Sequence, residues 1–362
     1  MDYGPSGMRV LYVLHSAKLN GTERMALASM AAFDEGVDVV ILAPQGPVHE
    51  EARRRGYWTQ VVTSKWDLLR VVRRHLREVE EVAYFATALT HSIVMALLNV
   101  FYRRRVAHLH MVHGGCDEQT SYGTKRHLNR SSATVVAVSD YVRDRLIANG
   151  VRPGKIRVVE NFLDADRINA APQRLPFESS DTCVREVVVV SRADPIKRLD
   201  LLFDMLDGCA ALSSVNFRIF GLGPEVQKLR KRSERSHPNV TFEGFSDHIE
   251  TVLAKSDLLL HLCPVEPFGL VILEAMAAGL PVMVPDTGGA ASIVEDGVSG
   301  YRFRANDPAD LCARLCSLQR HPGAEWNRVT AAAHERLRTR YSAASQAVHY
   351  RAIVDQILQP RT

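Results

Sequence analysis

In "VVVVSRADPIKRLDLL" two cations, Arg192 and Lys197, stand directly behind a fully apolar run and ahead of a helical pattern. Such a pair suits a diphosphate, because arginine offers a planar fork to phosphate oxygens and lysine a compact point charge. A solvated loop would carry the same two residues. The next apolar run leads into "IFGLGPE", where Gly221 and Gly223 permit close backbone approach and Pro224 can open a helix. Glycine pairs after strands are also ordinary turns, so this signal only supports the first. A third stretch, "EPFGLVILEAMAAGLPV", begins at Glu266; Pro267 and Gly269 shape a turn, and a helix is expected to start near Gly269. Its first N–H groups and positive dipole end can face an anion such as phosphate.

Glu274 falls about one turn inside that helix, on the face of Leu270 and Ala277 or Ala278, among apolar and small residues. Removing an ionised carboxylate from water costs several kcal/mol unless donors or a positive charge meet it. Its sequence neighbours supply none. A sugar or ribose diol would provide donors; so would backbone N–H groups of a neighbouring loop.

These residues need elements to hold them. At 362 residues the chain is long for one core, so two domains are expected. Short β-branched runs alternate with segments of helical period, which reads as βαβ units around parallel sheets. The first series holds "MRVLYVL", "VDVVILAP", "VAYFAT", "RVAHLHMVH", "ATVVAVS" and "IRVVEN"; the second holds "REVVVVS", "VNFRIFG", "NVTFEG", "DLLLHLC" and "PVMVP". Between them, "ADRINAAPQRLPFESSDTC" is polar and aperiodic and fits a linker. The expected organisation is an α/β chain of two Rossmann-like domains, 1–164 and 184–340, joined by a linker at 165–183, with a closing helix over 341–362 that can pack back on the first domain. Ligands in such sheets bind beyond the carboxyl ends of the strands, where the motifs above fall.

Hydrophobic content of 46% and charged content of 24% are those of a folded globular protein. The longest apolar stretch, "SIVMALLNVFY", is far short of the roughly 20 residues that span a bilayer. The opening "MDYGPSGMRVLYVLHS" lacks a basic start and cleavage site, so a cytoplasmic protein is expected. Six scattered cysteines without a CxxC pair point to reduced, packed thiols; Cys312 and Cys316, four apart on a helix, lack the further ligands of a metal site.

Taken in order, "SRADPIK", "GLGPE", "EPFG" and the pair Glu266 and Glu274 resemble the donor domain of retaining GT-B glycosyltransferases of family 4, and the likeness continues through "PVMVPDTGG" and "IVEDGVSGYRF". In the first half "NGTERMAL", "HMVHGG", "VSDYVRDRLI" and "VVENFLD" are similar more loosely. The resemblance implies a GT-B fold, two Rossmann-like domains facing each other across a cleft, with the acceptor on the first and a nucleotide sugar on the second. It also implies roles. Arg192 and Lys197 would hold the diphosphate and Glu274 the ribose hydroxyls. Glu266 would contact the donor sugar, with backbone N–H groups from Phe268, Gly269 and Leu270 facing sugar and phosphate. His113 would sit near the reacting centre, and Gly21, Gly221 and Gly223 would allow close approach of the donor. Two positions depart from the pattern: Asn20 stands where paired glycines are common, and Ser292 where a glutamate often follows "GG".

The activity implied by the resemblance is that of a hexosyltransferase that retains configuration, with no cofactor or metal beyond the nucleotide-diphosphate sugar as co-substrate. "DAD" at Asp164 to Asp166 is read as structural. The acceptor would be a glycan, a lipid-linked molecule or a small molecule. A nucleotide-sugar epimerase of the same fold and a catalytically silent nucleotide-sugar-binding partner are the alternatives. Nucleic acid is not an expected partner: a net charge of +4 is a small excess, and no basic and aromatic module is organised for it.

One region is more basic than the rest. Residues 51–105 hold eleven Lys or Arg against five Asp or Glu, a net of 11 − 5 = +6, so the remainder sums to 4 − 6 = −2. Trp66, Leu69, Val72 and Leu76 can share an apolar stripe flanked by Arg70, Arg73, Arg74 and Arg77. The stripe is either the core face of a helix or a peripheral contact with an anionic membrane, at the inner face of the cell membrane, where each nearby cation contributes about 1 kcal/mol.

Overall fold

The computed structural model describes residues 7–33, 36–115, 117–178 and 184–359. The chain forms two compact units, one running to Phe162 and resumed from Ala343, the other Leu163–Ser342.

Seven parallel strands build the first unit: β1 (Met8–Val13), β2 (Asp38–Ala43), β3 (Trp58–Val61), β4 (Glu81–Ala86), β5 (Arg105–Val112), β6 (Thr134–Ala137) and β7 (Ile156–Val158), in the order β3-β2-β1-β4-β5-β6-β7. The order turns back at β1, where Val10 stands opposite Val39 of β2 on one side and Ala83 of β4 on the other. After its first residue, β1 is buried along its length, as are β2 and β4. Helices on both faces of a parallel sheet demand such near-continuous apolar runs.

The second unit repeats the plan with β8 (Glu186–Val190), β9 (Asn216–Phe220), β10 (Val240–Gly244), β11 (Leu258–Leu260), β12 (Val282–Pro285) and β13 (Tyr301–Phe303), ordered β10-β9-β8-β11-β12-β13. Here the order turns back at β8, with Val188 opposite Arg218 of β9 and Leu259 of β11. Val187, Phe217, Leu258 and Trp326 lie in its core. Both units are Rossmann-like sheets, as the alternation of runs implied. Sequence reading missed β3 and β13, which are short edge strands; polar residues interrupt both, Thr59 and Gln60 in β3 and Arg302 in β13, so neither holds a continuous apolar run.

Two expectations need correction. The described part of the polar stretch 165–183 belongs to the second unit and is tied down as far as Phe177. Asp164 caps a helix over Ala165–Ala170 by accepting from the Arg167 N–H at 3.0 Å. Arg174 donates to Ser256 O and Asp257, and Phe177 stacks on Trp326 with ring centroids 5.3 Å apart. A segment without period can therefore be fixed by side-chain hydrogen bonds and one aromatic anchor. The thiols also differ from expectation. Cys209 and Cys312, 103 residues apart, form a disulfide. The helices Asp200–Asp207 and Pro308–Leu318 pack together and bring them into reach, which spacing alone cannot show. Cys263 and Cys316 remain thiols outside that bridge, and Cys116 and Cys183 lie outside the described residues.

The closing helix, Ala343–Leu358, belongs to the first unit. Tyr350 packs edge-on against Phe85 at 6.1 Å, and Gln346 Oε1 accepts from the Glu160 N–H. Among the described residues no helix is long and apolar enough to cross a membrane.

Candidate functional site

Beyond the carboxyl ends of β8 and β11, where the strand order of the second unit turns back, two loops bring opposite charges together. The β8 loop passes through a short 3-10 turn, Pro195–Lys197, and Arg198 leaves it in the left-handed region at φ 54°. Lys197 Nζ donates to Glu266 Oε2 at 2.6 Å, and both side chains are largely buried. His261, just after β11, holds its Nε2 3.5 Å from the same oxygen. Burial alone would push the Glu266 carboxyl up; the approach and charge of His261, and then the charge and hydrogen bond of Lys197, outweigh it and hold the group at about 2. Glu266 is thus an anion across the whole ordinary pH range. His261, Cys263 and Glu266 offer ligand atoms within 4.8 Å of one another, yet Cys263 is engaged with Ile196 O and Glu266 with Lys197.

Arg192 is different. Its side chain is mostly exposed and, among the described residues, pairs only with Asp194, so it can turn toward a ligand at little cost.

The glycine loops serve this arrangement. Gly221, at φ 140°, lies so close to the β8 loop that a Cβ would meet Ser191 O at 2.0 Å; at Gly223 it would meet Ala193 O at 2.6 Å. Their close approach is therefore to the loop that carries Arg192, locked by Ala193 N–H to Leu222 O and Glu225 N–H to Ala193 O. A comparable support went unread in sequence. Gly289 donates its N–H to Glu266 O at 2.6 Å, and a Cβ there would meet Pro267 O at 2.1 Å, so "DTGG" clamps the Glu266 loop from behind.

Gly269, at φ 102°, caps the helix Leu270–Ala277. The Phe268 side chain points inward, edge-on to Tyr341 at 5.9 Å, which leaves only its backbone for a ligand. The Ile272 N–H already donates to Gly269 O at 3.0 Å; the N–H groups ahead of it have no intrahelical carbonyl to meet. Glu274, one turn along, is not without a donor: Arg167 Nη2 donates to Glu274 Oε1 at 2.7 Å and approaches Glu250 Oε1 at 3.4 Å. Arg167 was missed because it stands 107 residues earlier, in the stretch read as linker. Glu274 Oε2 makes no hydrogen bond among the described residues. One oxygen is anchored and the other is left to accept.

In the first unit, His108 and His110 belong to the buried sheet and share the Ser92 hydroxyl, at 3.0 and 2.8 Å. His113 follows β5 and ends differently. Among the described residues its buried Nε2 has no hydrogen-bond partner, and burial, aided by the nearby charge of His15, lowers the ring to about 4. It is neutral near pH 7. Gly21 opens the helix Gly21–Ser29, whose Glu23 folds back to accept from the Asn20 N–H at 3.0 Å.

Comparison with known proteins respects the same division. Residues 177–335 match the model of the glycosyl transferases group 1, and residues 19–167 that of glycosyltransferase family 4. The chain is 26% identical over 261 residues to N-acetyl-alpha-D-glucosaminyl L-malate synthase of Bacillus anthracis, covering 67% of this chain and 66% of that protein. It is 28% identical over 267 residues to D-inositol 3-phosphate glycosyltransferase of Geodermatophilus obscurus, covering 60% and 57%. The matched part of the chain thus spans less than two thirds of these relatives' own length, 66% of the first and 57% of the second. Among solved structures, Anabaena HepE in complex with UDP superposes with a TM-score of 0.80 at 22% identity, over 96% of this chain and 100% of that one. The apo lipopolysaccharide outer core galactosyltransferase WaaB gives 0.76 at 14% identity, over 96% and 99%.

Proposed function

We propose that this chain, which belongs to the group 1 and family 4 glycosyltransferases of GT-B fold, moves a hexosyl group from a nucleoside diphosphate to an acceptor hydroxyl with retention at the anomeric carbon. The observation that carries the reading is the meeting of Lys197 and Glu266 beyond β8 and β11, beside a helix that opens at Gly269 and holds Glu274 one turn inside. Donor chemistry fits each part. Lys197 and Arg192 are the cations for the diphosphate, and the first N–H groups of the Leu270 helix add to them. Glu274 Oε2 accepts from the ribose diol while Arg167 steadies the other oxygen. Glu266, ionised and backed by His261, accepts from hydroxyls of the donor sugar.

The donor's C1–O bond to phosphate breaks as the acceptor oxygen bonds to C1 on the same face, and the acceptor proton passes to a phosphate oxygen. The products are a glycoside and a nucleoside diphosphate. Negative charge grows on the leaving oxygen as the sugar becomes cation-like, so fixed positive groups there stabilise the transition state more than the ground state. In this reading they take the place of a metal. Glu266 and Glu274 are not a nucleophile and acid pair of the glycosidase kind, since each is committed to binding. His113, neutral and with an Nε2 that has no partner among the described residues, suits a hydrogen bond to a sugar hydroxyl near the reacting carbon.

The acceptor is a glycan, a lipid-linked molecule or a small molecule. A panel of nucleotide sugars screened by thermal shift identifies the donor. Transfer assays with that donor then track the anomeric coupling of the product by proton NMR. An α-linked product from an α-linked donor is expected. An inverted product overturns retention, and an epimer formed from the nucleotide sugar alone favours the epimerase.

A further inference from the structure

Two neighbouring helices of the first unit turn an apolar and a basic face outward together. The helix Leu89–Tyr102 buries Ser92, Val94, Met95 and Leu98. Its opposite side carries Ile93, Leu97, Val100 and Phe101, with Leu97 56%, Val100 70% and Phe101 81% exposed. That face of a Rossmann helix is ordinarily polar, and a row of large exposed apolar groups marks an interaction surface.

Beside it runs the helix Lys65–Glu78, whose apolar stripe is mainly the core face that sequence offered as one of two readings: Val72 and Leu76 are core, together with Leu68 and Val71, and Leu69 packs against them partly buried. Trp66, however, is 68% exposed. With Arg70, Arg73 and Arg77 it forms one outward face at helical spacing. Arg73 Nε donates to Tyr102 Oη at 2.7 Å, and the Arg77 guanidinium lies 5.9 Å from the Tyr102 ring centre, so the basic face abuts the end of the apolar one. Exposed Arg103 comes directly after. The acidic groups nearby are mostly engaged: Asp67 with Thr63 and Arg70, Glu78 with Arg9 and Arg74, Glu81 with Arg105. Glu80 is exposed at the helix end.

We propose that this face docks on an anionic lipid bilayer, with Trp66, Leu97, Val100 and Phe101 entering the headgroup boundary and Arg70, Arg73, Arg77 and Arg103 meeting lipid phosphates. Amphipathic surfaces of this kind lie in the interface plane and combine apolar burial with attraction to anionic lipid. Charge decides against a second copy as the occupant. A two-fold dimer sets the same patch against itself and would bring like-charged arginine rims together, whereas a bilayer of opposite sign complements them. The inference stands apart from the chemistry of the second unit.

Cosedimentation of the full chain with neutral phosphatidylcholine vesicles and with vesicles containing phosphatidylglycerol, at low and high salt, is the test. Binding to the anionic vesicles that falls with salt is expected. The variant Leu97→Ser/Phe101→Ser should lose at least about tenfold in partitioning, and Arg70→Glu/Arg77→Glu should weaken binding and flatten its salt dependence. Circular dichroism establishes that both fold. Absence of binding to anionic vesicles at low salt, or undiminished binding by the serine variant, overturns the proposal. So does a concentration-dependent dimer, seen by light scattering and abolished by the serine variant, in a chain that ignores vesicles.

Discussion

Arg167 Nη2 meets Glu274 Oε1 at 2.7 Å, across 107 residues of sequence and within one compact unit. This pair explains how a helix flanked by buried Leu273 and Ala275 keeps a carboxylate at all. The cost of taking Glu274 out of water is offset inside the protein, before any ligand arrives.

Removing one partner should therefore hurt more than removing both. Arg167→Met leaves the Glu274 charge without its main donor and should cost roughly 2–4 kcal/mol, discounted for partial exposure. Adding Glu274→Gln to that variant should recover much of the loss. Denaturant titration of the two variants decides it. An Arg167→Met protein as stable as the parent would mean the pair contributes nothing to the fold.

Arg192 and Lys197 should separate in their side effects while sharing one main effect. Alanine at either position should lower turnover by orders of magnitude, because each cation stabilises charge that grows on the leaving group. Arg192→Ala should leave stability within about 0.5 kcal/mol, its side chain being mostly exposed. Lys197→Ala removes a partner of Glu266 and should raise the pH at which that carboxyl titrates from about 2. Near-normal rates in both variants would remove the leaving-group role.

Acid should loosen the first unit through its buried histidines. Burial lowers His75 and His108 from the ordinary 6.5 to about 4, with the charge of Arg9 adding at His75 and that of Lys155 at His108. A histidine with a lowered folded value binds its proton more readily unfolded. The stability it contributes is fully present above 6.5 and lost as pH falls to about 4. Melting temperature measured across this window should fall steadily, and His108→Gln should make the fall shallower. A melting temperature unchanged across the window would contradict the neutral, buried state.

Much of the fold is legible in the residues alone. Strands such as β1 and β8 announce themselves because a sheet covered on both faces requires unbroken apolar runs, and the motifs sit at the carboxyl ends of those strands because parallel sheets leave their loops there. Arg192, Lys197, Glu266 and Glu274 could be chosen on type and position. Their partners could not. Arg167 lay in a stretch whose polar, aperiodic composition hid a capped helix. His261 was one polar residue in an apolar strand end, and the clamp by Gly289 depends on a loop brought back by β12. The Cys209–Cys312 pairing likewise depends on which helices pack, a property of tertiary structure with no local signature. Exposed Phe101 sat in the longest apolar run of the chain, which by composition reads as core.

Titration calorimetry with a nucleoside diphosphate and with its sugar conjugate, on the parent, Glu274→Gln and Glu266→Gln, tests the assignment of the donor site most directly. Glu274→Gln should weaken the bare nucleotide and the complete donor alike, since it touches the ribose common to both. Glu266→Gln should leave the bare nucleotide nearly unchanged and weaken only the complete donor. Equal losses on the bare nucleotide for both variants, or none for Glu274→Gln, would contradict the account.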